Sequence, residues 1–222
     1  MKKKNFLIVL FLVIGSLLFI YCILPVLLVL LSNLGPADNK RGLNNYNKDY
    51  YIDKYGGDLN SGLYIFPDRK IVKDGEFSSS MKTNLFDTDG YIILKAKYSD
   101  KLYEDEINRL KDIELSVTLK CGPNSPSYTN KVMYDDKSYN YPAYITIDNC
   151  FDTYEYALLN EKDKEIYYIY LSYPKTTNKK YKEYLKKDKE EYYNLDSVCN
   201  YSLYNHTFDK GKSYSEFNDC GE

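Results

Sequence analysis

The sequence predicts an α+β architecture: an N-terminal transmembrane helix, then one domain in which one or two helices pack on an antiparallel sheet. Three observations carry this. Residues 6–31 carry no charge, and 21 of these 26 are Leu, Ile, Val or Phe. Beyond them, short runs rich in Tyr, Ile and Val alternate with turn residues, which is strand patterning. Two further stretches, near residues 100–113 and 179–193, have helical spacing instead.

Lys2, Lys3 and Lys4 precede the apolar run. A hydrocarbon core about 30 Å thick takes about 20 helical residues to cross, so residues 6–31 are long enough to pass through the lipid bilayer with some tilt. Each Leu, Ile, Val or Phe favours insertion by roughly 0.3 to 0.6 kcal/mol, which together outweighs Gly15, Ser16, Tyr21, Cys22 and Pro25. Pro25 is tolerated because hydroxyls, water or local backbone adjustment can satisfy the carbonyl it frees. A cleaved secretory signal is the rival, and Gly35, Pro36 and Ala37 imitate its cleavage site. Its apolar core spans only about 7 to 15 residues, however, so length favours a retained helix. Bulky Tyr21 disfavours lipid attachment at Cys22.

Lys40, Arg41 and Lys48 nearly balance the three N-terminal lysines, so charge bias leaves orientation open. A helix at the extreme N-terminus, followed by a long domain, reads as an uncleaved signal. The expected topology is single-pass at the cell membrane, with residues 1–5 cytoplasmic and the C-terminal domain extracytoplasmic. Gly35 and Pro36 stop the helix, and residues 32–62, rich in Asn, Asp, Gly and Tyr, read as a tether. The folded domain is expected over residues 63–222.

Leu63 to Phe66 opens that domain and Pro67-Asp68 closes the run. Polar sequence continues to a turn at Asp87-Thr-Asp-Gly90. Tyr91 to Tyr98 reads as a strand with Ile92, Leu94 and Ala96 on one face. Ser99 or Asp100 can cap a helix to about Ile113, in which Tyr103, Ile107, Leu110 and Ile113 form the buried stripe. Its acids lie near the positive N-terminal end, and Arg109 and Lys111 near the negative end. Further strands are expected at Glu114–Lys120, Thr129–Tyr134, Tyr144–Ile147, Glu155–Leu159 and Ile166–Tyr173. The last two flank Asn160-Glu-Lys-Asp-Lys-Glu165, a charged turn that signals an antiparallel hairpin. Both are apolar on each face, which places them centrally or under a helix. Lys179–Tyr193 reads as a second helix, and the seven lysines from Lys175 to Lys189 as its solvated face.

The chain contains 27 Tyr and no Trp. AT-rich coding combined with strand propensity is the simpler account. Tyr can also line a carbohydrate or peptide site, offering apolar area and a hydroxyl together. After the apolar run there are 27 Lys and Arg against 32 Asp and Glu, a formal charge of −5. That argues against nucleic acid as a partner.

Cys121, Cys150, Cys199 and Cys220 lie in the exported part, an even number where disulfides can form. Of three pairings, Cys121 with Cys150 and Cys199 with Cys220 close the smallest loops, each bridge worth roughly 3 kcal/mol in the chain-entropy model. No Cys-x-x-Cys or Cys/His spacing suits zinc. Cys121-Gly-Pro123 opens like a thioredoxin site, but position 124 is Asn, so no resolving cysteine follows. His206 is the only histidine and stands beside no nucleophile motif. Asp87, Asp89 and Gly90 hint at a calcium loop but lack its first acid and its closing Glu. No catalytic residues, cofactor or metal ligands can be named from motifs, since Gly-x-Ser-x-Gly, phosphate-loop, dinucleotide and His-Glu-x-x-His patterns are missing.

At Leu63-Tyr-Ile-Phe-Pro67, Tyr141-Pro-Ala-Tyr144 and Tyr154-Glu-Tyr-Ala-Leu158, the chain resembles an uncharacterised group of membrane-anchored extracytoplasmic proteins of Gram-positive bacteria. The resemblance covers residues 63–173. It implies an exported α+β domain without a known activity, and no functional residue carries over. The expected role is that of a non-catalytic binding or envelope-associated module whose partner is an envelope protein, a peptide or a glycan. Two alternatives belong to other classes: a carboxylate-dependent cell-envelope hydrolase, with two acids about 5 to 10 Å apart in a cleft, and a structural or assembly subunit acting through its membrane helix.

Overall fold

Strands β8 (Thr153–Asn160) and β9 (Glu165–Ser172) form the expected hairpin, in unbroken antiparallel register from Thr153 opposite Ser172 to Asn160 opposite Glu165. The turn between them closes with Lys164 in the left-handed region at φ 53°. Every residue of β8 is buried, and so is β9 beyond Glu165, as strands apolar on both faces require. This is a computed structural model describing residues 11, 13–32, 35–59, 61–84, 87–118, 127–175, 177–188 and 199–204.

The hairpin sits mid-sheet. With β1 (Asp38–Arg41), β2 (Asp74–Thr83), β3 (Thr88–Lys97), β7 (Ala143–Cys150) and β10 (Cys199–Ser202), the sheet runs β1-β2-β3-β9-β8-β7-β10. A short strand, β6 (Met133–Asp135), pairs with β7 beside this path. All pairings are antiparallel. Strands β4 (Glu114–Thr118) and β5 (Ser127–Lys131) make a separate ribbon. The fold is therefore α+β, a large antiparallel sheet with few helices.

Period-two alternation divides the core in two. One sheet face, with Ile92, Leu94, Ala157, Leu159, Tyr168 and Tyr170, packs beneath α2 (Lys48–Leu59), α3 (Asp100–Lys111) and the loop at Leu63–Phe66. The other, with Ile93, Tyr156, Leu158, Tyr167, Ile169 and Leu171, lies beneath Tyr139, Tyr181 and Leu185 from irregular segments. Helix α3 follows expectation, with Ser99 in extended N-cap geometry and Tyr103 and Leu110 buried; Glu106, on the same side, is buried too.

Several expectations are corrected. Residues 32–62 are not a tether, because β1 pairs with β2 and α2 docks Tyr51, Tyr55 and Leu59, spaced by four, into the core. Three carriers of the docking, Tyr50, Lys54 and Tyr55, converge on Asp38. Burial pushes the Asp38 carboxyl up, yet these hydrogen bonds outweigh it and hold the group at about 2. The polar stretch before residue 88 forms strand β2, whose inward side reads Phe77, Ser79, Met81. Ser79 interrupts the apolar alternation but bonds the Tyr51 hydroxyl at 2.6 Å. At the start of β3, Gly90 has φ 144°, and a Cβ there would meet the Ser80 carbonyl oxygen at 2.0 Å, so only glycine fits.

The helix expected at Lys179–Tyr193 does not form over its described part, which holds one 3-10 turn, Lys182–Tyr184. Tyr181, Leu185 and Lys186 are each buried, in a strap rather than on a helical face. The strap is pinned where the Lys187 amide donates to the Ser138 carbonyl at 2.8 Å. Lys186 is not solvated but pairs with Asp148 at 2.7 Å.

At the N-terminus, residues 13–18 are helical, a π turn spans Phe19–Ile23 and α1 covers Leu24–Ser32. Pro25 has no amide to bond the carbonyl four residues back, and the wider turn, with the Leu24 amide on the Phe19 carbonyl, is the local adjustment expected beside it. The turn lies within the single span expected at residues 6–31, of which residues 6–10 and 12 are outside the described ones. Among the described residues, no helix is long and apolar enough to cross a membrane.

Candidate functional site

Seven strands spaced by about 4.8 Å make a sheet roughly 29 Å wide, whereas a helix covers only about 10 Å. Helix α2 lies toward the β2 side, with the Tyr51 ring 6.1 Å from Phe77, and α3 reaches β9 through Glu106 and Tyr168. The helix-side face of β7 and β8 is left without a helical cover. A groove of about 990 Å³ opens there.

Helix α3 supplies one wall with Tyr103, Ile107 and Lys111, each four residues from the last. Tyr144 of β7 and Leu159 of β8 form the floor, and Tyr134 of β6 with Tyr141 and Pro142 forms the opposite rim. The β8–β9 turn closes one end with Glu161, Lys162 and Asp163. Tyr134 is placed by its register opposite Tyr144, their rings 5.3 Å apart and tilted by 54°. Tyr134 remains 57% exposed. Tyr103 is the reverse, only 2% exposed, and its hydroxyl has no hydrogen-bond partner among the described residues. Burial, with the Glu161 charge adding to it, pushes that phenol up to about 12.

A second polar centre is sealed from solvent. Glu155 projects from β8 to the same face and is 0% exposed. Ser61 donates to its Oε2, the Ile65 amide to Oε1 at 3.3 Å, and the Tyr204 hydroxyl to both oxygens at 3.0 and 3.1 Å. Desolvation pushes the carboxyl up to about 7 against the pull of these donors. Next to it, Arg109 makes a two-pronged bond to Glu106, Nε to Oε2 at 2.9 Å and Nη2 to Oε1 at 2.6 Å. Its remaining hydrogens reach the Tyr64 and Ile65 carbonyls. Tyr168 donates to Glu106 at 2.7 Å, and its oxygen lies 2.9 Å from that of Tyr98. Both buried carboxylates thus clamp the Ser61–Phe66 loop, and Glu155 also captures Tyr204, just beyond β10.

Of the cysteines, the structure joins Cys150 to Cys199. Neither pairing favoured by loop size forms, because β7 and β10 place these two residues directly opposite one another. Strand register thus overrides proximity in sequence. Cys121, Cys220 and His206 lie outside the described residues, and Cys22 is an exposed free thiol. Asp89 and Gly90 are part of β3, and among the described residues no group of His, Cys, Asp and Glu could hold a metal ion.

Sequence reasoning did not single out Glu155, the Glu106–Arg109 pair or the groove tyrosines. Glu155 carries a visible signal, one acid in a run otherwise apolar on both faces. The groove carries none, since it exists only through the β6–β7 register and the reach of two helices. Fold and site together define an α+β domain with an aromatic groove on its helix-bearing face. Comparison with protein-family models, curated proteins and solved structures finds no match.

Proposed function

We propose that this chain is a non-catalytic binding module, held at the cell membrane by its N-terminal apolar segment with the α+β domain outside, and that the groove beside α3 is its contact surface. The observation that carries this reading is the groove itself, floored by Tyr144 and Leu159 and rimmed by the exposed Tyr134. Sites for small ligands combine such apolar and aromatic walls with a few polar groups. A binding role is favoured over hydrolysis because Glu106 and Glu155, the two buried acids among the described residues, are committed to holding the fold, and the acids that line the groove, Glu161 and Asp163, are exposed on a single turn.

Placement at the membrane is supported by the apolar side chains of residues 13–28. Val13, Leu18, Phe19, Ile23 and Val26 are each about half exposed or more, and removing such area from water is worth roughly 25 cal/mol per Å². The Cys150–Cys199 bridge suits an oxidising compartment. The net negative charge of the chain disfavours nucleic acid.

The test is a photoreactive residue at position 134 of the full-length chain in intact cells. Irradiation should capture an envelope component, and Tyr144→Asp should abolish the capture. Protease added to cells stripped of outer wall should remove the domain. Capture of cytosolic molecules, or complete protection from protease, would overturn the reading.

A further inference from the structure

We propose that the groove takes a neutral oligosaccharide, its sugar rings lying against Tyr134 and Tyr144 and one hydroxyl bonded to the Tyr103 phenol. This rests on the groove being the contact surface and adds its ligand class. Charge is the first discriminator. Lys111 on α3 and Glu161, Lys162 and Asp163 on the β8–β9 turn line it, two cations with two anions, so the groove has no net field to draw a polyanion or a polycation. Those same four groups offer donors and acceptors to sugar hydroxyls.

The aromatic pair is the second. Tyr134 and Tyr144, 5.3 Å apart, give the C–H face of a pyranose an apolar surface, and their phenols remain able to hydrogen-bond. The third is Tyr103. Its buried hydroxyl lacks a partner among the described residues, and a ligand hydroxyl, which both donates and accepts, would meet it in either sense. A purely apolar ligand would leave this phenol unmet. An extended peptide adds to an unpaired strand edge, but β7 is paired with β8 on one side and with β6 and β10 on the other, β8 lies between β7 and β9, and the rim strand β6, which pairs only with β7, is just three residues long. The floor has no free edge to offer.

Isothermal titration of the full-length protein in detergent micelles tests the assignment. The probes are cellotetraose, maltotetraose and chitotetraose, with tetragalacturonate and tetra-alanine as the charged and peptide comparisons. At least one neutral tetrasaccharide should bind saturably. Tyr134→Ala should weaken it by about tenfold through lost ring contact. Tyr103→Phe removes one oxygen and should weaken binding by about fivefold, with an unfolding temperature equal to or above that of the parent. A purely structural role for Tyr103 would leave affinity unchanged. The assignment is overturned if no neutral tetrasaccharide binds the folded protein, or if binding is indifferent to both substitutions. Preferential binding of tetragalacturonate or tetra-alanine, lost in Tyr134→Ala, would also overturn it while the groove stands as a binding surface, and the crosslink at position 134 tells the two failures apart.

Discussion

Glu155 links the electrostatics of this fold to a measurable pH dependence. In the folded chain its carboxyl is raised by burial to about 7, from an ordinary 4.5. An unfolded chain releases this proton near its ordinary value, so between the two values the folded state binds more protons. Stability from this group is therefore fully present below about pH 4.5 and is lost as pH rises through about 7. The shift corresponds to about 3 kcal/mol. Glu155→Gln keeps the shape and can still bond Ser61, Ile65 and Tyr204 but does not titrate. Urea unfolding of the full-length protein in detergent, followed by near-UV circular dichroism of tyrosine at pH 5 and pH 8.5, gives the comparison. The parent should lose about 2.5 kcal/mol more than the variant across this interval. If the two curves run parallel to within about 0.5 kcal/mol, Glu155 is not titrating in a sealed site and the reasoning is wrong.

Reducing the Cys150–Cys199 bridge, or Cys199→Ser, releases a loop spanning a sequence separation of 49 and should cost up to about 4 kcal/mol by chain entropy; thermal unfolding with and without dithiothreitol reads this. Arg109→Ala strands the buried Glu106 carboxylate and should destabilise by about 3 to 5 kcal/mol. Arg109→Lys should recover only part of that, since an ammonium cannot make the fork, and equal melting temperatures for all three proteins would contradict the clamp. Asp38→Asn should cost about 1 to 2 kcal/mol in calorimetry at pH 7, whereas a tether at residues 32–62 would make it neutral.

Periodicity made part of this fold legible. Tyr91–Tyr98 and Glu155–Tyr173 alternate or run apolar in ways that only strands satisfy, and the stripe Tyr103, Ile107, Leu110 marks α3. Where the buried stripe is not aliphatic, the signal fades. Helix α2 docks through two tyrosines and one leucine among Lys, Asp and Gly, and β2 turns a serine inward. Lys179–Tyr193 fails for the opposite reason. Tyr181, Tyr184 and Leu185 have helical spacing, but Tyr181 and Leu185 cover the far sheet face from a strap anchored at Ser138 and Asp148, and tertiary packing overrides a weak local preference. The site was less legible still. Glu155 meets Ser61 from 94 residues away and Tyr204 from 49, and no local window holds both.

The abundance of tyrosine bears on these failures and on the groove together. A buried phenol needs a hydrogen bond, and here several of the acceptors are backbone carbonyls of loops and element ends. Tyr46 donates to Pro67, Tyr170 to Leu59, Tyr156 to Tyr184 and Tyr201 to Lys131. Each fills the core like phenylalanine while pinning a loop, a helical turn or the end of a strand. This pinning explains how a sheet with two modest helices holds its long connections. By that standard Tyr103 stands apart from these four. It is as buried as the others, yet its hydroxyl holds no segment among those described, and it stands on α3 in the wall of the groove.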